Sequence, residues 1–400
     1  MSTNTSRRNF VAGLAACSAS QAQTATRPGQ AAKLEWRTLG KTGLKVTSVS
    51  FGCMTTSDIG VIQHAADVGI VHFDTARSYQ GGNNERMVGA ALKSRRNRVI
   101  LSSKSLGKTK DQLTADLDTS LRELGTDYLD IWYLHNRNDP SELFDDLFEV
   151  QRAARQAGKI RYAGVSTHFN MDRMLPYLAK LGQTDIVLTT YNFAMRSVAA
   201  TDNTNAMASR SDMSAAIQKA REAGLGIVTM KALAGGTTRV QRGDRLYGAN
   251  PQELTAQLTQ EGAPLAAIKW VLRNRSVDTA IICMTDHEQL EENVRAMAEP
   301  YTKADDKLLA AALARISPIY CRMCGSCGGV CDKGVPVPDV LRILTYAEGY
   351  RDFALARERY FELPAPVREV RCSDCASCSI SCPNGVRVPE RVAMAQQLLA

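Results

Sequence analysis

Between Leu34 and about Glu299 short apolar runs alternate with longer amphipathic stretches, and the alternation repeats eight times. The strand candidates are Val46–Phe51, Ile70–Asp74, Val99–Lys104, Tyr128–His135, Ile160–Ser166, Ile186–Thr190, Gly226–Lys231 and Thr279–Cys283. Helical stretches lie between them, for example Thr109–Leu124 and Ser141–Ala157, and Pro251 marks the start of another. Strands separated in this way lie parallel in one sheet, with the helices covering it. Eight β/α units predict a TIM barrel, a (β/α)8 fold over residues 34–300. Trp36–Lys45, with Gly40 and Gly43 as turn residues, reads as a hairpin closing the barrel floor. Arg196–Met213 and Gly235–Asn250 are polar and turn-rich, as expected of loops over the mouth. A chain of 400 residues with 44% hydrophobic content has room for this barrel and a smaller second domain.

The second domain is expected over residues 318–400, where the composition changes. Cys321, Cys324, Cys327 and Cys331 read C-x2-C-x2-C-x3-C, and Cys372, Cys375, Cys378 and Cys382 repeat the pattern. Gly334-Val335, Val337-Pro338 and Gly385-Val386, Val388-Pro389 follow the two runs at identical offsets. Three thiolates at this interval can turn onto three corners of a cubane, which predicts two [4Fe–4S] clusters and electron transfer. The pattern resembles that of two-cluster ferredoxins, in which the fourth cysteine ligates the other cluster. Pro383 follows the last cysteine as it does there, while Asp332 departs at the matching place. Disulfides would suit an exported chain, but eight cysteines in two short regular runs fit clusters better. Structural zinc takes separated C-x2-C pairs and has no use for the third cysteine. Lys303–Ile316, Pro338–Tyr350 and Asp352–Glu362 read as helices, so this ferredoxin-like domain is mainly α-helical.

Chemistry in a TIM barrel gathers at the C-terminal ends of the strands. Here those ends carry Asp74, Lys104, His135, Ser166, Tyr191 and Lys231, with Tyr79 just beyond the second strand. His72, inside an apolar strand, reads as core, and Cys53 as a buried, unreactive thiol. His168 is evenly balanced between a substrate contact and an ordinary loop residue.

Residues 35–299 resemble the aldo-keto reductase superfamily. The resemblance rests on Trp36–Leu44, on Phe73-Asp74-Thr75-Ala76 followed by Tyr79, and on Gly158-Lys159-Ile160-Arg161. Gly164-Val165-Ser166 and Glu288-Gln289-Leu290 leading into Glu292-Asn293 extend it. It implies carbonyl–alcohol interconversion with NADH or NADPH on a small substrate. Tyr79 would be the general acid and Lys104 the cation that lowers its pKa. Asp74 would hold the lysine, and His135 would orient the carbonyl. The resemblance also implies cofactor contacts from Ser166 to the carboxamide and from Tyr191 to the nicotinamide ring. Lys231 through Gly235 and Gly236 would meet the pyrophosphate, and Asn293 the adenine. Thr167 and Leu188 replace the usual asparagine and glutamine, and Cys283 and Gln289 the usual cations for a 2′-phosphate. Loss of those cations removes charge-assisted bonds to that phosphate and leaves NADH and NADPH both open.

Residues 1–30 read as a targeting leader. Ser6-Arg7-Arg8-Asn9-Phe10 resembles a twin-arginine signal, and Phe10–Ala16 is too short to span a membrane. Ser20 to Ala22 offers a cleavage site, and Leu14-Ala15-Ala16-Cys17 a lipobox with Cys17 as lipid anchor. The expectation is export to the periplasm, with a cytoplasmic location as the alternative. A net charge of +8 without a basic cluster argues against nucleic acid as a partner. The leading expectation is an exported oxidoreductase with a redox partner protein. The alternatives are a non-enzymatic electron carrier using the barrel as a docking scaffold, and a metabolite-binding protein. A nicotinamide moves two electrons and a cluster one; no motif for a flavin, which could join them, is found in the sequence.

Overall fold

In a computed structural model, which describes residues 33–195, 213–235 and 261–400, eight parallel strands close into a barrel. A small antiparallel hairpin, β1 (Trp36–Thr38) and β2 (Lys45–Thr47), precedes it. The barrel strands are β3 (Val49–Gly52), β4 (His72–Asp74), β5 (Ile100–Ser105), β6 (Leu129–Leu134), β7 (Ile160–Thr167), β8 (Ile186–Thr190), β9 (Gly226–Met230) and β10 (Thr279–Cys283). They run in sequence order around the barrel, and β10 closes on β3. All eight expected strands are present. The first was expected to begin at Val46, but that residue ends up in the hairpin. The leader, including Arg7, Arg8 and Cys17, lies outside the described residues, as do 196–212 and 236–260 with Gly236 and Pro251.

The helices begin and end on local signals. The helix Lys110–Leu124 is capped by the Thr109 hydroxyl, which accepts from the Gln112 amide, and stops at Gly125 with φ 62°. Its buried Leu113, Leu117 and Leu124 recur at helical spacing and face the sheet. Lys303–Ile316 forms as expected, on a capping box between Thr302 and Asp305.

Inside the barrel the lower layer is apolar. Leu39, from the hairpin turn, is fully buried among Ile100, Ile131, Tyr133, Ile186, Val228 and Ile281 and plugs the floor. Tyr133 fits because Gly164 stands opposite, where a Cβ would come within 2.3 Å of the ring. Above this layer the inward positions turn polar. Alternation along a strand points His72 and Asp74 the same way, and likewise Ser102 and Lys104.

After Lys303–Ile316 the chain forms helices Val337–Glu348, Phe353–Phe361, Ala365–Glu369 and Val388–Leu399. Val340, Leu344, Tyr360, Val392 and Leu399 build a second apolar core. Arg391 reaches Glu348 from one helix to another, donating at 2.8 Å through Nη1 and again through Nη2. This assembly covers the barrel mouth. At Gly349 a Cβ would lie 1.4 Å from the Gly235 carbonyl, so only glycine permits the approach. Arg359 donates to the Ser78 carbonyl at 2.7 Å, and Asn192 to the Tyr320 hydroxyl at 3.0 Å. No helix among the described residues is long and apolar enough to cross a membrane.

Candidate active site

Asp74 ends β4, Lys104 lies one residue from the end of β5, and His135 follows β6. Tyr79 stands in the turn after β4. Lys104 is 1% exposed, so its charge needs compensation. Its Nζ donates to Asp74 Oδ2 at 2.5 Å, to the Thr75 carbonyl at 2.6 Å and to the Tyr79 hydroxyl at 3.3 Å. An ammonium has three donors, and all three are placed. Because Lys104 donates to the Tyr79 oxygen, the phenol's own proton is left for another acceptor. The Tyr79 and His135 rings meet edge to face at 6.1 Å.

One expectation about this group changes. Lys104 was expected to lower the Tyr79 pKa; instead burial pushes the phenol well above 10, and Asp74 adds to the rise. The lysine charge is matched by Asp74, so the pair leaves little net field on the hydroxyl. His135 is held well below 6.5, by burial first and then by Lys104, Arg359, Arg342 and Arg137, so the imidazole is neutral at pH 7. Its Nδ1 is buried and has no hydrogen-bond partner among the described residues, and the same holds for Nδ1 of His168.

His72 belongs to the same network, although its sequence position reads as core. Ser102 Oγ donates to Asp74 Oδ1 at 2.6 Å. Its proton being so used, Ser102 accepts from His72 Nε2 at 3.0 Å, and His72 Nδ1 accepts from Ser50 Oγ at 3.0 Å. The chain fixes the histidine tautomer and braces the carboxylate. Burial holds His72 down to about 4 from 6.5, with Asp74 opposing. Between those values the unfolded chain binds more protons than the folded one. Stability is therefore full above pH 6.5 and falls as pH drops through 4, by on the order of 3 kcal/mol. Urea unfolding at pH 7 and pH 4.5 should show this loss, and His72→Gln should remove most of it. An equal loss in the variant would mean that other groups titrate.

A cavity of about 430 Å³ opens above these residues. Tyr79, His135, His168 and Asp74 line it, together with Lys231, Gly235, Leu188, Met230, Gln289 and Asn293. Cys53 also reaches the cavity, but it is fully buried, and burial raises its thiol well above 9. Two expected contacts are absent from the lining. Tyr191 turns away: its ring lies 5.0 Å from that of Trp270, and its hydroxyl meets Ser214 at 2.9 Å and Asn274 at 3.2 Å. Ser166 is fully buried, and its hydroxyl accepts from the Asn136 amide at 2.8 Å.

The roof comes from beyond the barrel. Arg342, Tyr346 and Arg359 line the cavity from the two helices that follow the first cysteine run, and Tyr350 from the link between them. Tyr346 accepts from Arg342 Nη1 at 2.9 Å and from Lys231. Burial works to raise its phenol, but Lys231 and Arg342 overcome that and bring it to about 8.

This arrangement has known counterparts. Residues 54–314 match the model of the aldo/keto reductase family. The chain belongs to the aldo/keto reductase family. Members of this family are oxidoreductases that use NAD(P)H. L-glyceraldehyde 3-phosphate reductase of Escherichia coli is 27% identical over 324 residues, covering 68% of this chain and 89% of that protein. L-galactose dehydrogenase of Arabidopsis thaliana is 24% identical, covering 72% and 96%. The holo form of aldo-keto reductase AKR11C1 from Bacillus halodurans shares the fold, with TM-score 0.54 at 24% identity, covering 70% of this chain and 96% of that one.

The family match ends at residue 314, before the cysteine runs. There Gly328 and Ser381 form an antiparallel bridge, with amide-to-carbonyl distances of 3.0 and 2.9 Å, that clasps one run to the other. None of the ten described cysteines forms a disulfide. Burial raises the Cys321 thiol to about 12, and Cys324, Cys327 and Cys382 add to the rise. Burial also raises Cys372, with Cys331, Cys375 and Cys378 adding to it. Each neighbourhood thus combines three cysteines of one run with the last of the other. No three His, Cys, Asp or Glu among the described residues converge as they would on a single metal ion.

Proposed function

We propose that the barrel interconverts small carbonyl compounds and alcohols with NADH or NADPH, Tyr79 passing the proton. The observation that carries this is the three-way placement of Lys104, which leaves the Tyr79 proton directed away from the lysine. In reduction Tyr79 gives that proton to the carbonyl oxygen. His135, neutral, orients the same oxygen through a ring N–H. Asp74, braced by Ser102 and His72, keeps Lys104 charged and in place. Bound in the cavity, the nicotinamide supplies or takes the hydride. Gly235 and Asn293 border the volume that would hold it, and the unpartnered histidine nitrogens suit a polar ligand there. Tyr191 and Ser166 do not line this cavity.

The proposal extends to two [4Fe–4S] clusters, one on Cys321, Cys324, Cys327 and Cys382, the other on Cys331, Cys372, Cys375 and Cys378. Donor chemistry and the crossed neighbourhoods support it: a cubane spreads four thiolates over four irons, whereas a mononuclear ion draws them together. The clusters would exchange single electrons with an external redox partner. Cys375 and Cys378 are exposed, which gives that partner access to the second cluster. The leader motif favours export to the periplasm by a twin-arginine route, with Cys17 as a lipid anchor.

Anaerobic titration with NADH and NADPH, followed by nicotinamide fluorescence, tests the cofactor. One site per chain is expected, with little preference for NADPH because Cys283 and Gln289 stand where cations would hold the 2′-phosphate. No binding at millimolar concentration would contradict the proposal.

A further inference from the structure

We infer that the substrate carries an anionic group, a carboxylate or a phosphate, seated between Arg342 and Lys231 under the cavity roof. This rests on the carbonyl–alcohol reading above and deepens it.

The charges lining the cavity are unevenly placed. Lys104 is matched by Asp74, yet Lys231, Arg342 and Arg359 line the same cavity. Their partners sit toward solvent: Asp339, 44% exposed, on Arg342, and Glu358 and Glu362, 45% and 51% exposed, on Arg359. Among the other acids lining the cavity, Asp352 is committed to the Leu355 amide, and Asp286, Glu288 and Glu292 belong, with Gln289 and Asn293, to helix His287–Ala298 and its cap. Lys231, Arg342 and Arg359 thus share the cavity with Tyr79 and His135, and a low-dielectric wall concentrates their field.

The histidines register that field. His168 is held well below 6.5 by burial and then by Lys231 and Arg342, as His135 is by Lys104, Arg359 and Arg342. Their unpartnered Nδ1 atoms are buried beside the same space. Arg342 commits one donor to Tyr346 and one to Asp339, at 2.9 and 3.0 Å, out of the five a guanidinium carries. The donors that remain suit an oxygen of a carboxylate or phosphate. Arg359 donates to the Ser78 carbonyl, next to Tyr79, and Lys231 and Arg342 share the Tyr346 hydroxyl, so these cations are assigned to the substrate rather than to the cofactor pyrophosphate.

Calorimetry on the anaerobically purified full chain tests this with two matched pairs: 4-carboxybenzyl alcohol against benzyl alcohol, and glycerol 3-phosphate against glycerol. In at least one pair the anionic member should bind roughly 10- to 100-fold tighter, and Arg342→Gln should erase most of that margin. The pair that responds identifies carboxylate or phosphate. Lys231→Gln provides the same readout if Arg342→Gln fails to fold. Equal or absent binding in both pairs would overturn the inference. So would variants that lose NAD(P)H affinity but keep the anion preference, since the cations would then serve the pyrophosphate. Preference without turnover of any alcohol would sink the oxidoreductase reading and leave the anion site standing. Turnover without preference would do the reverse.

Discussion

Tyr79→Phe should slow carbonyl reduction by about 10²–10⁴-fold in kcat, the range that a positioned general acid supplies. The substitution removes one oxygen and keeps the ring that meets His135 edge to face. Substrate and cofactor should therefore still bind, and the loss should fall on kcat rather than KM. The phenol stands well above pH 10, so it stays protonated across neutral pH and reduction should show no fall there from its ionisation. Lys104→Met would be a poorer probe. It leaves Asp74 buried without its cation, which costs about 3–5 kcal/mol and confuses activity with folding. Stopped-flow turnover of the Phe variant, with NAD(P)H binding as control, decides the point. A variant slowed less than fivefold would remove Tyr79 from the chemistry.

The second large effect concerns the cysteines. Cys382→Ala should abolish the same cluster signal as Cys321→Ala, and Cys331→Ala the same as Cys372→Ala. On the cluster proposal, each single replacement should cost about half of the iron and acid-labile sulfide, because each cysteine would serve one cluster. The pairing is informative because it crosses the sequence: Cys382 lies in the second run but neighbours Cys321, Cys324 and Cys327. The Gly328–Ser381 bridge makes that crossing a property of the backbone. Electron paramagnetic resonance of the reduced variants would distinguish this pattern from two independent runs, in which Cys382 would group with Cys372. Protein purified anaerobically without iron would contradict the cluster proposal altogether.

The barrel was legible because its signals are local. Eight apolar runs, six of them ended by a polar residue, with helical periods between them, leave few alternatives. Asp74, Lys104 and His135 sit at strand ends where alternation sends them to one mouth. Tyr191 and Ser166 stand at comparable places, but what a side chain meets beyond a strand depends on the neighbours. Trp270 and Ser214 draw Tyr191 outward. His72 reads as core because its partners, Ser50 and Ser102, belong to adjacent strands whose register no single segment records. The roof was the hardest part to foresee. Asp339, Arg342 and Tyr346 share one helix face at spacings of three and four, a polar stripe on an otherwise apolar helix. That stripe signals a buried polar contact. It does not say that the contact is Lys231, more than a hundred residues earlier.

The most direct test of the account is label transfer. NADH or NADPH carrying deuterium at the transferable C4 position would be mixed anaerobically with an aldehyde that the protein turns over. Mass spectrometry of the alcohol then shows whether hydride came from the nicotinamide. The account predicts one deuterium on the carbinol carbon, formed by the native chain and largely lost with Tyr79→Phe. An alcohol without deuterium, or labelled alcohol formed equally well by the Phe variant, would contradict it.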